Sequence, residues 1–336
     1  MRSDQVRLNN GMTIPIIGMG TYSFENDINT TENAVQTALK SFFRILHLSS
    51  EKSNTMIQFL QMGYTHFDTA QIYGSEPALG NALGKAISNG FIEREDLFVT
   101  SKLWGSHHHD PVSALKQTLK RLGMEYLDMY LVHWPVRLKP WANHPLPEEE
   151  DFEKLDMETT WAGMEKCLEI GLCKGIGVSN MSCKKIENLL DFASVPPAVN
   201  QVEMHPMWRQ KKLRDFCKDH RIHVSAYSAI GGPGNFWGST AVVEDPIIQS
   251  IALKHKATPA QVALKWGISK GASVIVKSFN EKRLKENIGA LDLNLEENDF
   301  LEIEKMEEKK IMRGDFYVNQ TTSPYKTIQD LWDDEI

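Results

Sequence analysis

The feature that most limits how this chain can fold is a series of eight short apolar runs separated by amphipathic segments. Each run is too short for a helix and is rich in β-branched residues, which favours a strand. The runs, in chain order, are "IIGMG", "GYTHFD", "LFVTSK", "LDMYLV", "KGIGVS", "AVNQVE", "IHVSAY" and "SVIVKS". Strands that alternate with helices predict a parallel sheet, and eight repeats predict that the sheet closes into a barrel.

The segments between the runs carry start and stop signals of helices. The segment "DPVSALKQTLKRLG" places Asp110 as N-cap, Pro111 at the first helical position and Gly123 as the stop. The segment "TPAQVALKWGISKG" repeats this pattern, from Thr258 to Gly271. The sequence therefore predicts the α/β class and, within it, a (β/α)8 TIM barrel.

The two ends of the chain extend beyond this repeat. "VRLNN" and "MTIPII" flank Asn10-Gly11, which predicts an N-terminal β-hairpin. A (β/α)8 barrel typically needs about 250 residues, and the chain has 336. We assign the surplus to the hairpin, to extra loops and to a C-terminal substrate loop or tail at residues 309–336. Since no low-complexity linker divides the chain, we expect a single barrel domain over residues 1–336.

Charge and composition exclude several classes of protein. A net charge of -7 provides no basic field that would attract nucleic acid or anionic lipid. No apolar run of about 18 residues predicts a membrane span, and "MRSDQVRLNN" lacks the apolar core of a signal peptide. The four cysteines form no C-x-x-C pair and fit reduced thiols. We therefore expect a cytoplasmic protein that binds neither nucleic acid nor membrane.

Polar and charged side chains follow the predicted strands at the point where each strand ends. In a (β/α)8 barrel these C-terminal ends form the mouth that carries the chemistry. In chain order, the residues at these ends are Asp68, Lys102, His133, Asn180, Gln201, Tyr227 and Lys277, and Tyr73 lies just past Asp68. A carboxylate, a phenol, an ammonium and an imidazole are therefore expected to meet there. A structural Asp68–Lys102 pair with a satisfied tyrosine is the alternative interpretation.

This arrangement resembles the aldo-keto reductase family over nearly the whole chain. The motifs that carry the resemblance are "GYTHFDTAQIYGSE", "TSKLW", "LDMYLVHWP", "GIGVSN", "NQVEMHP" and "KSFNEKRLKEN". The tail "SPYKTIQDLWDDEI" and the run "LRDFCK" are similar to the plant branch, which includes chalcone-type and codeinone-type reductases. The resemblance implies an NADPH-dependent enzyme that reduces an aldehyde or ketone to an alcohol without a metal, and a monomer as the family default.

The resemblance also implies a catalytic set of Asp68, Tyr73, Lys102 and His133. A free tyrosine has a pKa of about 10 and donates protons poorly at neutral pH. A nearby ammonium favours the phenolate, so we expect Lys102, anchored by Asp68, to lower the pKa of Tyr73. Tyr73 would then protonate the carbonyl oxygen as a general acid, and His133 would orient the substrate.

The hydride must come from a nicotinamide, because no side chain supplies one. The residues that the resemblance assigns to the cofactor are Gly20, Thr21, Ser179, Asn180, Gln201, Tyr227, Lys277, Ser278, Arg283, Glu286 and Asn287. Two cations and a hydroxyl, on Lys277, Arg283 and Ser278, suit the 2′-phosphate of NADPH through charge-assisted hydrogen bonds. An ordinary solvated helix start is the alternative interpretation of Lys277 and Arg283.

An apolar pocket is expected beside the catalytic set. The predicted substrate-lining residues are Tyr22, Ile72, Trp104 and Trp134, with Trp141 and the C-terminal tail as further candidates. Aromatic walls with few charges suit an aldehyde or a planar ketone, although such residues are also common in a plain core. The loop "SAIGGPGNFWG" resembles the family loop that closes over the cofactor pyrophosphate.

Residues 41–61, "SFFRILHLSSEKSNTMIQFLQ", form an atypical insertion after the first predicted helix. Family members pass from this helix to the next strand within a few residues. One hypothesis is a retained intron in the gene model, because "FLQ" is compatible with a pyrimidine run followed by CAG. The other hypothesis is a genuine insert for interaction. A connection from helix to strand lies opposite the mouth of the barrel, so catalysis can survive it.

Two other functions remain open on the sequence. The chain could be a cofactor-binding regulatory protein, as the potassium-channel β subunits of related fold are, or an enzyme made inactive by the insertion. The complete set of Asp68, Tyr73, Lys102 and His133 does not separate these possibilities. The plant-type tail and the tryptophans Trp104 and Trp134 favour the enzyme.

Overall fold

The predicted hairpin lies at the N-terminal end of the described residues. The computed structural model describes residues 4–22, 28–46 and 63–336. Strands β1 (Gln5–Arg7) and β2 (Thr13–Pro15) pair antiparallel. Gly11 supplies the left-handed turn with a φ of +86°, a conformation that glycine adopts at no steric cost.

A closed barrel of eight parallel strands follows the hairpin. The strands from here on are β3 (Ile17–Gly20), β4 (His66–Asp68), β5 (Phe98–Leu103), β6 (Met129–Val132), β7 (Arg137–Leu138), β8 (Phe152–Glu153), β9 (Ile176–Ser179), β10 (Val199–Glu203), β11 (His223–Tyr227) and β12 (Ser273–Val276). Strands β7 and β8 form a separate antiparallel pair, and the other eight form the barrel, which closes between β12 and β3. Each of the eight apolar runs coincides with one barrel strand to within a few residues, so the predicted (β/α)8 fold is confirmed.

Helices connect the barrel strands and cover the outside of the sheet. Within the described residues the α-helices are α1 (Ile28–Leu46), α2 (Glu76–Ser88), α3 (Pro111–Leu122), α4 (Met157–Glu169), α5 (Cys183–Leu190), α6 (Lys211–Asp219), α7 (Ala241–Glu244), α8 (Pro246–His255), α9 (Pro259–Ser269), α10 (Glu281–Ile288), α11 (Glu297–Ile303) and α12 (Ile328–Trp332). The caps act as predicted: Asp110 accepts a hydrogen bond from the backbone N–H of Ser113, and Gly123 ends α3 with a φ of +63°. Thr258 and Gln261 form a capping box at the start of α9.

Part of the atypical segment is helical. Helix α1 continues to Leu46, so residues 41–46 extend the first helix. Residues 47–61 lie outside the described residues. The connection from α1 to β4 belongs to the N-terminal end of the barrel, opposite the mouth.

The C-terminal tail packs against the mouth of the barrel. The hydroxyl of Tyr325 donates a hydrogen bond to the carbonyl oxygen of Pro135 at 2.7 Å. Asp333 accepts one from Lys185 Nζ at 2.5 Å, near the start of α5. These contacts hold residues 309–336 beside the loops that follow β6 and β9. No helix in the part of the chain that the structure describes is both long and apolar enough to cross a membrane.

Helices α2 and α3 approach each other closely at Gly80. A methyl group added at Gly80 would collide with the carbonyl oxygen of Leu122. Gly84, one turn later in α2, is exposed and has no atom within 4 Å of the same position. Close packing therefore requires glycine at position 80. No contact in the described residues requires it at position 84.

We expect Gly80→Ala to lower the free energy of unfolding by about 3 kcal/mol, since overpacking against a backbone cannot relax easily. Gly84→Ala should instead raise it by about 0.5–1 kcal/mol, because alanine loses less backbone entropy in a helix. Guanidinium unfolding of both variants measures the difference. Equal effects at the two positions would contradict the close approach of α2 and α3.

Candidate active site

A cleft with about 880 Å³ of empty space, partly open to solvent, lies at the C-terminal ends of the barrel strands. Aromatic and apolar side chains form most of its lining, and a few polar groups converge on one part of it. The polar and charged lining residues include Asp68, Tyr73, His133, Ser179, Asn180, Gln201, Tyr227 and Lys277. The residues predicted at the strand ends thus surround one cavity, with Lys102 just behind it.

A buried ion pair forms the base of the cleft. Asp68 ends β4 and pairs in register with Thr100 of β5, so Lys102, two residues further, lies on the same side of the sheet. Lys102 Nζ donates to Asp68 Oδ1 at 2.6 Å and to the carbonyl oxygen of Thr69 at 3.0 Å. Gln201 Nε2 donates to the other carboxylate oxygen at 2.8 Å. Both oxygens of Asp68 therefore have hydrogen-bond partners.

The phenol of Tyr73 lies between the ammonium and the imidazole. Tyr73 ends a short 3₁₀-helix, and Gly74 reverses the chain after it with a φ of +67°. Lys102 Nζ is 3.4 Å from Tyr73 Oη, and His133 Nε2 is 3.3 Å from the same oxygen. The structure thus brings together all four residues of the predicted catalytic set.

The pKa of Tyr73 differs from the prediction. Burial raises the pKa of Tyr73 well above its ordinary value, and the negative charge of Asp68 raises it further. The prediction of a lowered pKa is wrong, because burial and the charge of Asp68 outweigh the effect of the Lys102 ammonium 3.4 Å away. Burial lowers the pKa of Lys102, and the attraction of Asp68 opposes that effect. Tyr73 is therefore a neutral phenol at pH 7.

His133 is a neutral imidazole. Burial lowers its pKa well below the ordinary value, and the charge of Lys102 lowers it further. Within the described residues its Nδ1 atom has no hydrogen-bond partner. A neutral ring protonated on Nε2 can donate one hydrogen bond toward the cleft, in the direction of Tyr73.

A second group of polar side chains lines the cleft beyond the catalytic set. Asn180 adopts a left-handed φ of +59°, which asparagine tolerates better than most residues. Its Nδ2 donates to the carbonyl oxygen of His133 at 3.0 Å, and its Oδ1 accepts from the Tyr227 hydroxyl at 2.7 Å. Ser179 Oγ donates to the carbonyl oxygen of Gln201 at 2.7 Å. These bonds fix polar amide edges and an aromatic face in the lining of the cleft, which suits a planar ring that carries an amide.

Two cationic side chains lie just after β12 in the chain. Lys277 is exposed, lines the cleft and places its ammonium 4.6 Å from the ring centre of Phe279. Asn280 caps α10 by accepting from the backbone N–H of Arg283, whose side chain is exposed. Ser278 Oγ accepts from the N–H of Asn280 at 3.1 Å. Two cations therefore flank the first turn of α10.

Not all the predicted cofactor residues line the cleft. The five that do not are Thr21, Ser278, Arg283, Glu286 and Asn287. The side chain of Thr21 is buried and donates to the carbonyl oxygen of Asp68 at 3.0 Å. Asn287 is buried in α10, and Glu286 is half-buried beside it. Gly20, by contrast, lines the cleft, and a side chain there would crowd Ile275.

The predicted substrate residues Tyr22, Ile72, Trp104 and Trp134 all line the cleft. Trp141 does not line it, and its side chain is 66% exposed. Phe236 and Trp237, in the glycine-rich loop after β11, also line the cleft and were not predicted to do so, although two adjacent aromatic residues mark that loop. Met312, Phe316 and Tyr317 line it as well, and they belong to the C-terminal tail, which was a predicted candidate.

Comparison with known proteins identifies the family of the chain. The family model described as "Aldo/keto reductase family" matches residues 17–308, and the chain belongs to that family. It is 43% identical to the "(1S)-1,7-diacetoxy-luvungin A aldo-keto reductase" of Citrus sinensis, over 95% of this chain and 100% of the relative. It is 45% identical to "Deoxymugineic acid synthase 1" of Zea mays, over 84% of this chain and 90% of the relative. It is 40% identical to "Aldo-keto reductase family 4 member C11" of Arabidopsis thaliana, over 98% of each chain.

Family membership establishes the general chemistry. The protein is an oxidoreductase that acts on carbonyl groups with a nicotinamide dinucleotide, and its substrate is a small carbonyl compound. The predicted family, its plant relatives and the enzyme class are confirmed.

Proposed function

We propose that this protein is an NADPH-dependent reductase that converts an aldehyde or ketone of plant specialised metabolism, such as a polyketide or an alkaloid ketone, to the alcohol. One observation carries the proposal. Lys102 Nζ and His133 Nε2 both lie within 3.4 Å of Tyr73 Oη at the base of an aromatic cleft. The names of plant relatives, which include reductases of diacetoxy-luvungin A and 7-acetyl-epi-neemfruitin B, support a bulky ketone.

Each of the four catalytic residues has a separate role. When bound, the nicotinamide supplies a hydride to the carbonyl carbon. Tyr73 donates its proton to the carbonyl oxygen as a general acid. Lys102 then stabilises the phenolate that forms 3.4 Å away, and Asp68 holds the ammonium in place. His133 donates an N–H to the same carbonyl oxygen and fixes its orientation.

The raised pKa of Tyr73 keeps the phenol protonated, as reduction requires, but it also makes the phenol a weaker acid. Reduction requires a protonated phenol, and burial keeps Tyr73 protonated at neutral pH. Oxidation of the alcohol requires the phenolate, which forms only as the pH rises toward the raised pKa. Proton transfer to the carbonyl oxygen therefore depends on Lys102, whose ammonium would stabilise the phenolate 3.4 Å away.

The cofactor would be held between the catalytic set and the start of α10. The proposed cofactor residues are Gly20, Thr21, Ser179, Asn180, Gln201, Tyr227, Lys277, Ser278, Arg283, Glu286 and Asn287. Ser179, Asn180 and Gln201 would hold the carboxamide, with the ring of Tyr227 stacked on the nicotinamide. Charge-assisted bonds from Lys277 and Arg283 would hold the 2′-phosphate, which selects NADPH over NADH.

The wall of the cleft would set the class of substrate. Tyr22, Ile72, Trp104 and Trp134 provide apolar and aromatic contacts, and Trp104 is held by a hydrogen bond from its Nε1 to the carbonyl oxygen of Ala142 at 3.1 Å. Such a surface excludes water and favours planar or bulky apolar carbonyl compounds.

We also propose a single-domain monomer of the cytoplasm. The barrel, the hairpin and the tail form one domain over residues 1–336, with residues 41–61 as an insertion and 309–336 as the substrate loop or tail. Because the insertion enters at the end of the barrel opposite the cleft, it would leave catalysis intact.

Tyr73→Phe should cut the rate of carbonyl reduction at least about a hundredfold, because it removes the general acid. The dissociation constant for NADPH should stay unchanged, since the ring remains in place. Steady-state turnover of an aromatic aldehyde, followed by NADPH absorbance, measures the rate, and fluorescence titration measures cofactor binding.

The matched control is Tyr126→Phe, which removes a hydroxyl from a ring that lies under Arg94 and Lys174, outside the cleft. It should retain full activity. An unchanged rate in Tyr73→Phe would remove this residue from its proposed role.

Lys277→Ala should raise the KM for NADPH by at least about tenfold and change that for NADH little, because only NADPH carries the 2′-phosphate. Lys116→Ala, which removes an exposed cation of α3, controls for the change in net charge. Equal increases of KM for the two cofactors in Lys277→Ala would mean that the phosphate is not bound there.

A further inference from the structure

A second buried charged cluster lies beside the cleft and has no part in the proposed chemistry. Glu203 ends β10, His205 follows it, and Lys310 lies near the start of the C-terminal tail. The side chains of Glu203 and His205 are 0% exposed, and that of Lys310 is 3% exposed. We call these three residues the tail anchor.

The carboxylate of Glu203 binds the tail through its backbone. Oε1 accepts from the N–H of Ile311 at 2.8 Å, and Oε2 accepts from the N–H of Met312 at 3.0 Å. His205 Nε2 lies 3.0 Å from Oε1, and Lys310 Nζ lies 3.6 Å from Oε2. One carboxylate therefore fixes two successive peptide groups of the tail.

The Glu203 carboxylate is ionised. Burial alone would raise the pKa of Glu203, but the hydrogen bond from His205 and the charge of Lys310 outweigh burial, so this pKa lies below its usual value. Two backbone N–H groups then have a charged acceptor, which makes the stronger kind of hydrogen bond. Removing that acceptor would leave buried donors unsatisfied, which is costly.

The same strand connects this anchor to the catalytic set. Gln201 and Glu203 are two residues apart in β10, so their side chains leave the strand on the same side. Gln201 Nε2 donates to Asp68, whereas Glu203 binds Ile311 and Met312. The position of the tail is thereby fixed relative to the proton-donating end of the cleft.

The anchored segment forms part of the cleft wall. Met312, Phe316 and Tyr317 line the cleft, and the ring of Tyr317 packs 4.6 Å from that of Trp134. Lys310 Nζ also lies 3.6 Å from the ring centre of Trp332 in α12. The part of the cleft wall that the C-terminal tail forms therefore starts at the peptide groups bound by Glu203.

We propose that Glu203, supported by Lys310, is a positioning residue for substrate selection, which sets the tail wall of the cleft by holding the peptides of Ile311 and Met312. Glu203 does not touch the substrate. This inference rests on the proposed carbonyl reductase function. Glu203 would control the preference of the enzyme for bulky carbonyl compounds.

The test compares a bulky and a small substrate in Glu203→Gln. The glutamine amide keeps the shape of the Glu203 side chain, but it replaces one acceptor oxygen by an NH₂ group that faces the N–H donors of Ile311 and Met312. We expect kcat/KM for 2-naphthaldehyde to fall at least about tenfold, mainly through KM, because the wall that contacts this ring shifts. For propanal, which is too small to need the wall, kcat/KM should change less than about twofold. NADPH binding should be unchanged.

Asp128→Asn is the matched control. Asp128 is also a buried carboxylate that accepts from a cation, Arg94 at 2.8 Å, and from a backbone N–H, that of Val99 at 2.9 Å. It precedes β6 and so lies at the opposite end of the barrel. This variant should lower the melting temperature without changing the ratio of the two kcat/KM values.

A second variant and a second readout keep the proposal testable. If Glu203→Gln does not fold, Lys310→Met is compared in the same way and should change the ratio in the same direction. If the unaltered protein reduces neither aldehyde, the proposed function fails. Amide hydrogen exchange of residues 311–317 then tests the anchor alone and should speed up in the Glu203 or Lys310 variant. An unchanged substrate ratio in an active, folded variant, or unchanged exchange, overturns the proposal.

Discussion

The buried ion pair between Asp68 and Lys102 is the interaction on which the rest of the site depends. Two charges taken out of water are tolerated only when geometry and further hydrogen bonds compensate for lost hydration. Here Lys102 also donates to the carbonyl oxygen of Thr69, and Asp68 also accepts from Gln201. The pair therefore constrains strands β4, β5 and β10 together, and the position of Tyr73 follows from that constraint.

The pair also explains the protonation state of the phenol. An ammonium alone would pull the pKa of Tyr73 down, but an ammonium beside its carboxylate is close to neutral as a unit. Burial then dominates, and the pKa of Tyr73 rises. The ammonium matters when the proton leaves, because the phenolate that forms lies 3.4 Å from it. The acid thus keeps its proton until the carbonyl oxygen gains charge.

Local sequence signals predicted most of the fold. The turn at Asn10-Gly11 and the caps at Asp110 and Thr258 depend on neighbouring residues only, so they could be recognised without a structure. The eight strands followed from β-branched apolar runs of the right length. Because the C-terminal ends of parallel strands meet at one mouth, Asp68 and Lys102 could also be placed together.

The features that could not be predicted depend on contacts between distant parts of the chain. The direction of the Tyr73 pKa shift depends on burial and on the distances to two opposite charges, which only the folded chain defines. The tail wall depends on Glu203 binding Ile311, a residue 108 positions away. Trp141 appeared suitable for the pocket, but it lies on an exposed loop, since nothing in its neighbouring sequence specifies its direction.

The most direct test of the central claim removes the ion pair without leaving a buried charge. In the double variant Asp68→Asn with Lys102→Met the site stays neutral, so folding and NADPH binding should be retained. Single-turnover hydride transfer to an aromatic aldehyde should then slow at least about a hundredfold, because the phenolate loses its stabilising cation. A folded double variant that transfers hydride at the original rate would contradict the account.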